Sequence, residues 1–262
     1  MMQRFTDMTG RTIEVSPSPK RIVSLVPSQT ELLYDLGLSD EVVGITKFCV
    51  HPEEWFRNKV RVGGTKQLHL EKIKGLKPEL IIANKEENTK EQIEELASEY
   101  PVWISDIKNV HDAFTMMTDI GRMVGRVSKA NEIVTVITNG LKHLEKPRNK
   151  KKVAYFIWYA PWMCAGADTF ISNIIETIGW ENVLGDKQRY PEITLEDLSH
   201  YRPDLILLSS EPYPFKAKHI EEIKAVIADC EILLADGEMF SWYGSRMLKA
   251  IPYFNALLQK II

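Results

Sequence analysis

A thiol and an imidazole stand close together in the sequence, as Cys49 and His51. An exposed pair of this kind can supply an axial ligand to cobalt or to haem iron. A site for a free metal ion needs about four His or carboxylate ligands that converge, and the other histidines show no such spacing. We therefore expect no resident metal ion. The pair indicates contact with a metal held by a chelate, although a surface or packing role for His51 is the stronger interpretation.

Aromatic residues form the second group that could do chemistry, because most of them fall in predicted loops after strands. Open α/β sheets bind ligands at that edge, and aromatic faces supply large contact areas at low entropic cost. The group therefore indicates a site for a flat macrocycle, although a core position explains Trp55 and Trp158 equally well. Its members are Phe48, Trp55, Trp158, Tyr159, Trp162, Tyr190, Trp242 and Tyr243.

Basic residues near the same loops could meet propionate, phosphate or catecholate groups. They are Lys66, Lys85, Arg189 and Arg246. Scattered basic residues are more often solvated surface, so each alone is a weak indication. The indication of ligand contact is strongest for Arg246, because it follows an aromatic loop segment that should face the ligand.

Signatures of catalysis are missing from the sequence. No GxSxG, HExxH, Walker or GxGxxG pattern is present, and these patterns carry the common hydrolytic, metal and nucleotide chemistries. The three cysteines, Cys49, Cys164 and Cys230, form no CxxC pair, which argues against a zinc site or a disulfide framework. We expect a binding protein that is not an enzyme and has no catalytic cofactor.

Composition limits the partners. The chain has 33 basic and 36 acidic residues, a net charge of −3, so no overall field favours nucleic acid. No apolar run reaches the roughly 18 residues of a membrane span, and residues 1–10 contain Arg4 and Asp7 without an apolar stretch. We expect a monomer that is not inserted in a membrane. We also expect no secretory leader in this chain, so the protein is either cytoplasmic or has a leader that precedes these residues.

A repeated block in the sequence predicts the elements that position these residues. Residues 70–82 are echoed by residues 195–207, and each copy reads as a short helix, a proline, an acidic residue and a buried strand. Glu71 and Glu196 occupy matching first-turn positions, where a carboxylate interacts favourably with the helix dipole. Two copies half a chain apart predict two similar lobes.

Strand and helix patterns alternate on both sides of a purely helical middle, which predicts mostly parallel α/β sheets. Phe5–Val15 reads as a hairpin, and Ser28 with Glu31 predicts a capping box. Ser128–Glu145 reads as one connecting helix of roughly 27 Å. The predicted domains are an N-terminal α/β lobe over 1–125, a connecting helix over 126–147 and a C-terminal α/β lobe over 148–262.

The motifs Arg21–Leu32, Val62–Gly64 and Leu70–Ile81 resemble the class III substrate-binding proteins of ABC importers, also called helical-backbone metal receptors. The resemblance covers nearly the whole chain, and within the group it is strongest to the cobalamin-binding proteins. It implies two Rossmann-like lobes joined by one long helix, with a ligand cleft between the lobes. It also implies that Glu71 and Glu196, one on each lobe, dock onto arginines of the two permease subunits.

The resemblance also assigns ligand contacts. Phe48 falls where a cobalamin binder has a ring-stacking tyrosine, Tyr190 where it has a tryptophan, and Met163 where it has a phenylalanine. Thr65 and Asn84 stand where those proteins carry tryptophan. With the groups above, the expected ligand-binding residues are Phe48, Cys49, His51, Thr65, Lys66, Asn84, Trp162, Met163, Tyr190, Trp242, Tyr243 and Arg246.

The sequence thus predicts a periplasmic or cell-envelope substrate-binding protein that captures cobalamin or another corrinoid and delivers it to an ABC permease. A ferric siderophore or haem is the alternative cargo, distinguished by whether aromatic rings or Arg and Lys dominate the site. A cytosolic corrinoid chaperone or sensor without a permease is the alternative role.

Overall fold

The computed structural model describes residues 2–261; Met1 and Ile262, the outer ends of the predicted lobes, lie outside this range. The chain divides into two compact units. Unit 1 comprises the residues up to Ile107 with His111–Val136 and Tyr243–Arg246. Unit 2 comprises Lys108–Val110, Ile137–Trp242 and the residues from Met247 onward. Each unit therefore includes a short segment whose sequence neighbours belong to the other unit.

Strands and helices alternate along most of the chain. The first half contains β1 (Gln3–Thr6), β2 (Thr12–Val15), β3 (Ile22–Ser24), α1 (Pro27–Asp35), β4 (Val42–Ile45), α2 (Glu53–Asn58), β5 (Val60–Arg61), α3 (Leu70–Gly75), β6 (Leu80–Asn84), α4 (Lys90–Ala97), β7 (Val102–Ser105), α5 (Val110–Met123) and α6 (Val127–Lys142). The second half contains β8 (Lys152–Trp158), β9 (Met163–Cys164), α7 (Phe170–Thr177), β10 (Glu181–Asn182), α8 (Leu195–Tyr201), β11 (Leu205–Ser209), α9 (Ala217–Lys224), β12 (Glu231–Ala235), α10 (Gly237–Ser241) and α11 (Met247–Ile261).

Both units are built on parallel sheets, and the four strands β4-β3-β6-β7 of unit 1 follow the same order as the four strands β10-β8-β11-β12 of unit 2. In unit 1 the order is β5-β4-β3-β6-β7, with every pair parallel. In unit 2 the order is β10-β8-β11-β12, and β9 adds an antiparallel edge to β8. The central strands β6 and β11 are buried at every position, as expected for parallel strands covered on both faces. The α/β fold with two Rossmann-like units is confirmed.

The sequence repeat is also a repeat in structure. Its two copies form α3 with β6 and α8 with β11. Between helix and strand, Lys77 and Arg202 both adopt left-handed backbone conformations, with φ of 47° and 50°. After the prolines, Glu79 accepts a hydrogen bond from the backbone N–H of Lys20 and Asp204 from that of Lys152. The acidic residue of each copy therefore ties the repeat to the start of the neighbouring strand.

Of the local predictions, the hairpin and the connecting helix are present in the structure and the capping box is not. The hairpin over Phe5–Val15 is confirmed as β1 and β2. The capping box at Ser28 is wrong, because α1 begins at Pro27 and the carboxylate of Glu31 pairs instead with Arg246. The predicted connector Ser128–Glu145 forms as α6, which starts one residue earlier and stops at Lys142. Across residues 2–261, no helix is both long and apolar enough to cross a membrane.

Candidate functional site

Glu71 and Glu196 lie in the first turns of α3 and α8. The side chain of Glu71 is 91% exposed, and Glu196 is also exposed. Thr194 caps α8 by accepting a hydrogen bond from the backbone N–H of Asp197. Both carboxylates are therefore held by short helices and directed to solvent, where each could pair with an external cation.

The surroundings of the two glutamates differ. Near Glu71, the Lys74 ammonium lies 3.8 Å from Glu71, 3.2 Å from Glu95 and 2.8 Å from Glu99. The hydrogen bonds that Lys74 donates to Glu99 and Glu95 raise the pKa of its ammonium group. For Glu196, no ion pair is present within residues 2–261. The first patch is a small charge network and the second is a single carboxylate beside Asp197.

Phe48 is the exposed aromatic residue on the unit 1 rim, the edge formed by loops at the carboxyl ends of its strands. Its side chain is 51% exposed, and the Lys47 ammonium lies 5.1 Å from the ring centroid. A Cβ atom at Gly64 would lie 3.2 Å from the Phe48 ring. The glycine thus leaves room for the ring, and the stacking role of Phe48 stays a prediction. His51 is half-buried.

Cys49 does not face solvent, so its expected role as an exposed axial ligand is wrong. The side chain is fully buried, and its Sγ lies 3.1 Å from the hydroxyl oxygens of Thr30 and Thr46. Burial raises the pKa of the Cys49 thiol, and the hydrogen bonds from Thr30 and Thr46 only partly oppose this effect. A buried, protonated thiol is a poor metal ligand.

Asn84 is likewise part of the scaffold, and its expected ligand contact is contradicted. It is 2% exposed, and its Nδ2 donates to the carbonyl and hydroxyl of Ser105. Its Oδ1 accepts the backbone N–H groups of Glu86 and Glu87. Thr65 is 9% exposed, and its carbonyl accepts from Asn88. The two residues that replace aromatic rings of the resembled family therefore shape the loop after β6.

The predicted cations of both rims are already engaged by protein acceptors. The ammonium of Lys66 donates to the carbonyl of Glu86, and Lys85 lies 2.6 Å from Asp106. Arg189 lies 3.8 Å from Asp168, and Arg246 lies 2.7 Å from Glu31. Arg246 and Glu31 are almost completely buried, so the expectation that Arg246 faces the ligand in a loop is wrong. Close acidic partners reduce the attraction of these cations for an anionic ligand.

Glu87 adds a negative group to the unit 1 rim. Desolvation raises the pKa of its carboxyl, while the charge of Lys66 acts in the opposite direction. Glu86 follows the same strand end and also raises this pKa. Lys66 therefore stands beside two carboxyl groups, Glu86 and Glu87, which disfavours a ligand that carries several negative charges.

An aromatic cluster forms the unit 2 rim, at the carboxyl ends of β8 and β11. Trp158 is 41% exposed and its ring lies 5.8 Å from that of Tyr213. Tyr159 lies 4.8 Å from Trp162 and 5.6 Å from Tyr213. Trp162 stacks on Phe215 with an interplanar angle of 4°. The predicted Trp158, Tyr159 and Trp162 therefore belong to one wall of rings.

Sequence reasoning missed part of this wall. Tyr213, Phe215 and His219 complete it, and the His219 ring lies 4.8 Å from Tyr159. The His219 Nε2 lies 3.2 Å from the Tyr213 hydroxyl. The His219 Nδ1 accepts the backbone N–H of Lys216, the residue that precedes α9. The signal in the sequence was Pro212–Phe215, in which two aromatic residues alternate with two prolines shortly after a buried strand.

The remaining predicted contacts of unit 2 differ in exposure. Met163 and Tyr190 are half-buried, and the Arg189 guanidinium lies 5.6 Å from the Tyr190 ring. Trp242 and Tyr243 are each 8% exposed, and the Trp242 indole N–H donates to Glu211 at 2.7 Å. Trp242 therefore anchors the loop after β11, and Tyr243 belongs to unit 1.

An acidic recess of about 570 Å³ lies beside these loops in unit 2. Its carboxylates are engaged locally: Glu211 accepts from Trp242 and Ser241, and Asp236 accepts from the backbone of Glu238. Within residues 2–261, no group of three His, Cys, Asp or Glu side chains is arranged to hold a metal ion.

Comparisons with known proteins agree with this architecture. Residues 22–229 match the periplasmic binding protein family. An uncharacterized ABC transporter substrate-binding lipoprotein of Bacillus subtilis is 28% identical, with 94% of this chain and 82% of that protein aligned. A vitamin B12-binding protein of Pectobacterium carotovorum is 24% identical, with 88% of this chain and 86% of that protein aligned.

The fold also agrees with a solved structure. The periplasmic haem-binding protein HutB of Vibrio cholerae superimposes with a TM-score of 0.78 at 23% identity, over 91% of this chain and 98% of that one. Members of the matched family are binding proteins. Because the match spans most of the chain, as the sequence resemblance predicted, the chain belongs to the periplasmic binding protein family.

Proposed function

We propose that the chain is the substrate-binding component of an ABC importer and that its cargo is cobalamin or a related corrinoid. Relatives named as an ABC transporter lipoprotein and as a vitamin B12-binding protein support the role. The protein binds its cargo without catalysing a reaction on it. The relatives' names also support a location at the cell envelope rather than in the cytoplasm.

The observation that carries the choice of cargo is the balance between rings and free cations. Trp158, Tyr159 and Tyr213 present neighbouring rings on the unit 2 rim. By contrast, Lys66, Lys85 and Arg189 have protein acceptors. Flat faces suit a corrin ring, whereas a ferric catecholate carries several negative charges and needs uncompensated Arg or Lys. The rims therefore favour a corrinoid over a ferric siderophore.

Haem is the second candidate cargo, supported by the likeness to a haem-binding fold. Haem shares the flat face, but its iron requires an axial ligand from the protein. Of the candidate axial ligands, Cys49 is buried and protonated and His51 is half-buried. The carboxylate of Glu222 raises the pKa of Tyr159, which opposes formation of a tyrosinate ligand. Cobalamin brings its own axial ligands to cobalt, so it does not need these side chains.

Delivery to a permease is the second part of the proposal. Glu71 and Glu196 are exposed on matching helices of the two units. A carboxylate pairs with arginine in a bidentate, directional way, which suits recognition by a two-fold partner. We assign these two residues to permease contact, and the pair disfavours a cytosolic corrinoid chaperone without a permease.

A ligand panel tests the cargo. Purified protein is titrated with cyanocobalamin, dicyanocobinamide, haemin and a ferric catecholate, and binding is followed by visible spectra and calorimetry. Saturable binding of the two corrinoids, with weaker binding of haemin and the catecholate, is expected. Preference for the catecholate would contradict the argument from compensated cations. No binding to any of the four would overturn the metal-chelate proposal as a whole.

A further inference from the structure

A dense basic segment connects α6 to β8 and has no part in the proposed transport function. From Lys142 to Lys152 it carries six basic side chains and one acidic side chain, Glu145, for a net charge of +5. The whole chain carries −3, so the rest of the molecule carries −8. Such segregation gives the surface a local positive field on a protein that is otherwise anionic.

Most of these cations are exposed and uncompensated. Lys142, Lys146, Arg148, Lys150 and Lys152 are all exposed. Across residues 2–261, the ion pair found for this segment is the one between Lys151 and Glu231, at 3.8 Å. The cations near the rims, by contrast, have close acceptors within the protein. The segment is available to an external anion.

The segment also has a fixed base and a recess. A Cβ atom at Gly179 would lie 3.0 Å from the Cβ of Lys146 and 3.2 Å from Pro147, so the loop packs directly on that glycine. Lys146, Arg148 and Lys151 share a recess of about 550 Å³ with Trp180 and Leu258. Cations at the opening and an apolar floor are suited to a phosphate group attached to a glycerol and acyl chain.

We propose that this basic face is a docking surface for the anionic headgroups of a phospholipid membrane. Charge complementarity selects this occupant, because polybasic surface segments are attracted by anionic bilayers. The segment meets β8 at its amino-terminal end, whereas the aromatic rim follows the carboxyl-terminal end of β8 and β11. Contact with the membrane through this face therefore leaves the rim of unit 2 accessible to cargo.

Vesicle sedimentation tests the proposal with the full chain. Vesicles of phosphatidylcholine alone are compared with an equimolar mixture of phosphatidylcholine and phosphatidylglycerol. The protein is expected to sediment with the mixed vesicles and to be released by salt. Each basic side chain near the surface contributes about fivefold to the partition coefficient, so the triple variant Lys146→Gln, Arg148→Gln, Lys150→Gln should lose about 100-fold.

A matched variant removes the same charge elsewhere. The control variant alters three exposed lysines outside the segment, Lys90→Gln, Lys218→Gln and Lys224→Gln, and it should retain binding. A second control, Lys146→Arg with Lys150→Arg, preserves the charge and should also retain binding. Equal loss in both neutralised variants would overturn the proposal, as would equal sedimentation with phosphatidylcholine alone. Release by inorganic phosphate or by poly-glutamate at matched ionic strength would also overturn it, since the face would then bind a free anion or an acidic peptide.

Discussion

Units 1 and 2 share a sheet order, but they hold their short inserted segments by different chemistry. In unit 1, Glu31 on α1 pairs with Arg246 of the segment Tyr243–Arg246. In unit 2, Asn173 on α7 accepts the backbone N–H of Val110, in the segment Lys108–Val110, at 2.9 Å. Helices α1 and α7 correspond, since each is the first helix after the first parallel strand of its unit, and Glu31 and Asn173 each stand six positions before a glycine with positive φ. One position therefore carries a buried ion pair in one unit and a neutral hydrogen bond in the other.

The two units are therefore more alike in their backbone than in their side-chain contacts. Turn geometry and strand order are the same in both units, because they depend on few residues such as the prolines after Lys77 and Arg202. The contacts that hold the inserted segments carry different energies. Breaking a buried ion pair leaves an uncompensated charge, whereas breaking a neutral hydrogen bond leaves only one unsatisfied polar group.

The largest expected effect follows from breaking the ion pair. Arg246→Met leaves Glu31 buried without its cation, which should lower the free energy of unfolding by about 3 to 5 kcal/mol. Asn173→Ala should cost about 1 to 3 kcal/mol, since a single backbone donor is left unpaired. Urea unfolding followed by circular dichroism measures both. The double variant Glu31→Leu, Arg246→Met should recover much of the loss. Equal losses for Arg246→Met and Asn173→Ala would contradict the contrast between the units.

The second contrast is between the two exposed glutamates. Charge reversal at both, Glu71→Lys with Glu196→Lys, should abolish ligand uptake in cells, because truncating or reversing a paired interfacial charge costs about 2 to 5 kcal/mol. Ligand affinity of the purified double variant should stay unchanged. Each single reversal should give partial uptake.

A matched control for the docking prediction is Glu91→Lys, which reverses an exposed acid in the first turn of α4. Uptake by this variant should equal that of the unaltered protein. A loss of affinity in the double variant would instead assign Glu71 and Glu196 to cargo binding. Unimpaired uptake would remove them from any role in docking.

The third contrast is between the rims. Trp158→Ala with Tyr213→Ala removes two rings of the unit 2 cluster and should weaken cyanocobalamin binding by about 2 kcal/mol, or about thirtyfold. Phe48→Ala removes the exposed ring of the unit 1 rim and should cost about 1 kcal/mol, since one face is lost. Calorimetry measures both. Tyr34→Ala, at a 40% exposed ring on α1, should leave affinity unchanged. A larger effect for Phe48 would reverse the assignment of the main stacking surface.

The parts of the fold that few residues determine were predicted correctly from the sequence. Alternating strand and helix patterns predicted both sheets, and the repeat predicted α3 with β6 and α8 with β11. These features depend on local periodicity and on proline and glycine positions, which a sequence displays directly. The exposure of Glu71 and Glu196 agrees with the matching first-turn positions that the repeat assigned to them.

Side-chain partners distant in sequence could not be predicted in the same way. Glu31 and Arg246 are separated by 215 positions, so the local pattern at Ser28 suggested a cap that the distant arginine replaces. Cys49 follows the exposed Phe48, yet it turns inward to Thr30. Asn84 stood at a family ligand position, but the tight loop after β6 uses its whole amide group. In each case a tertiary contact decided the role.

The smallest predicted effect concerns Tyr159, which distinguishes the unit 2 rim from a haem site. Its hydroxyl lies 3.4 Å from Glu222, and the negative charge of Glu222 raises its pKa. Glu222→Gln should lower that pKa toward the ordinary value of about 10, so one tyrosine should ionise at lower pH in an absorbance titration. As a control, the double variant Tyr159→Phe, Glu222→Gln should titrate like the single variant Tyr159→Phe, because both lack the tyrosine in question. An unaltered titration would mean that the two groups do not interact, and the carboxylate would then no longer oppose iron ligation by Tyr159.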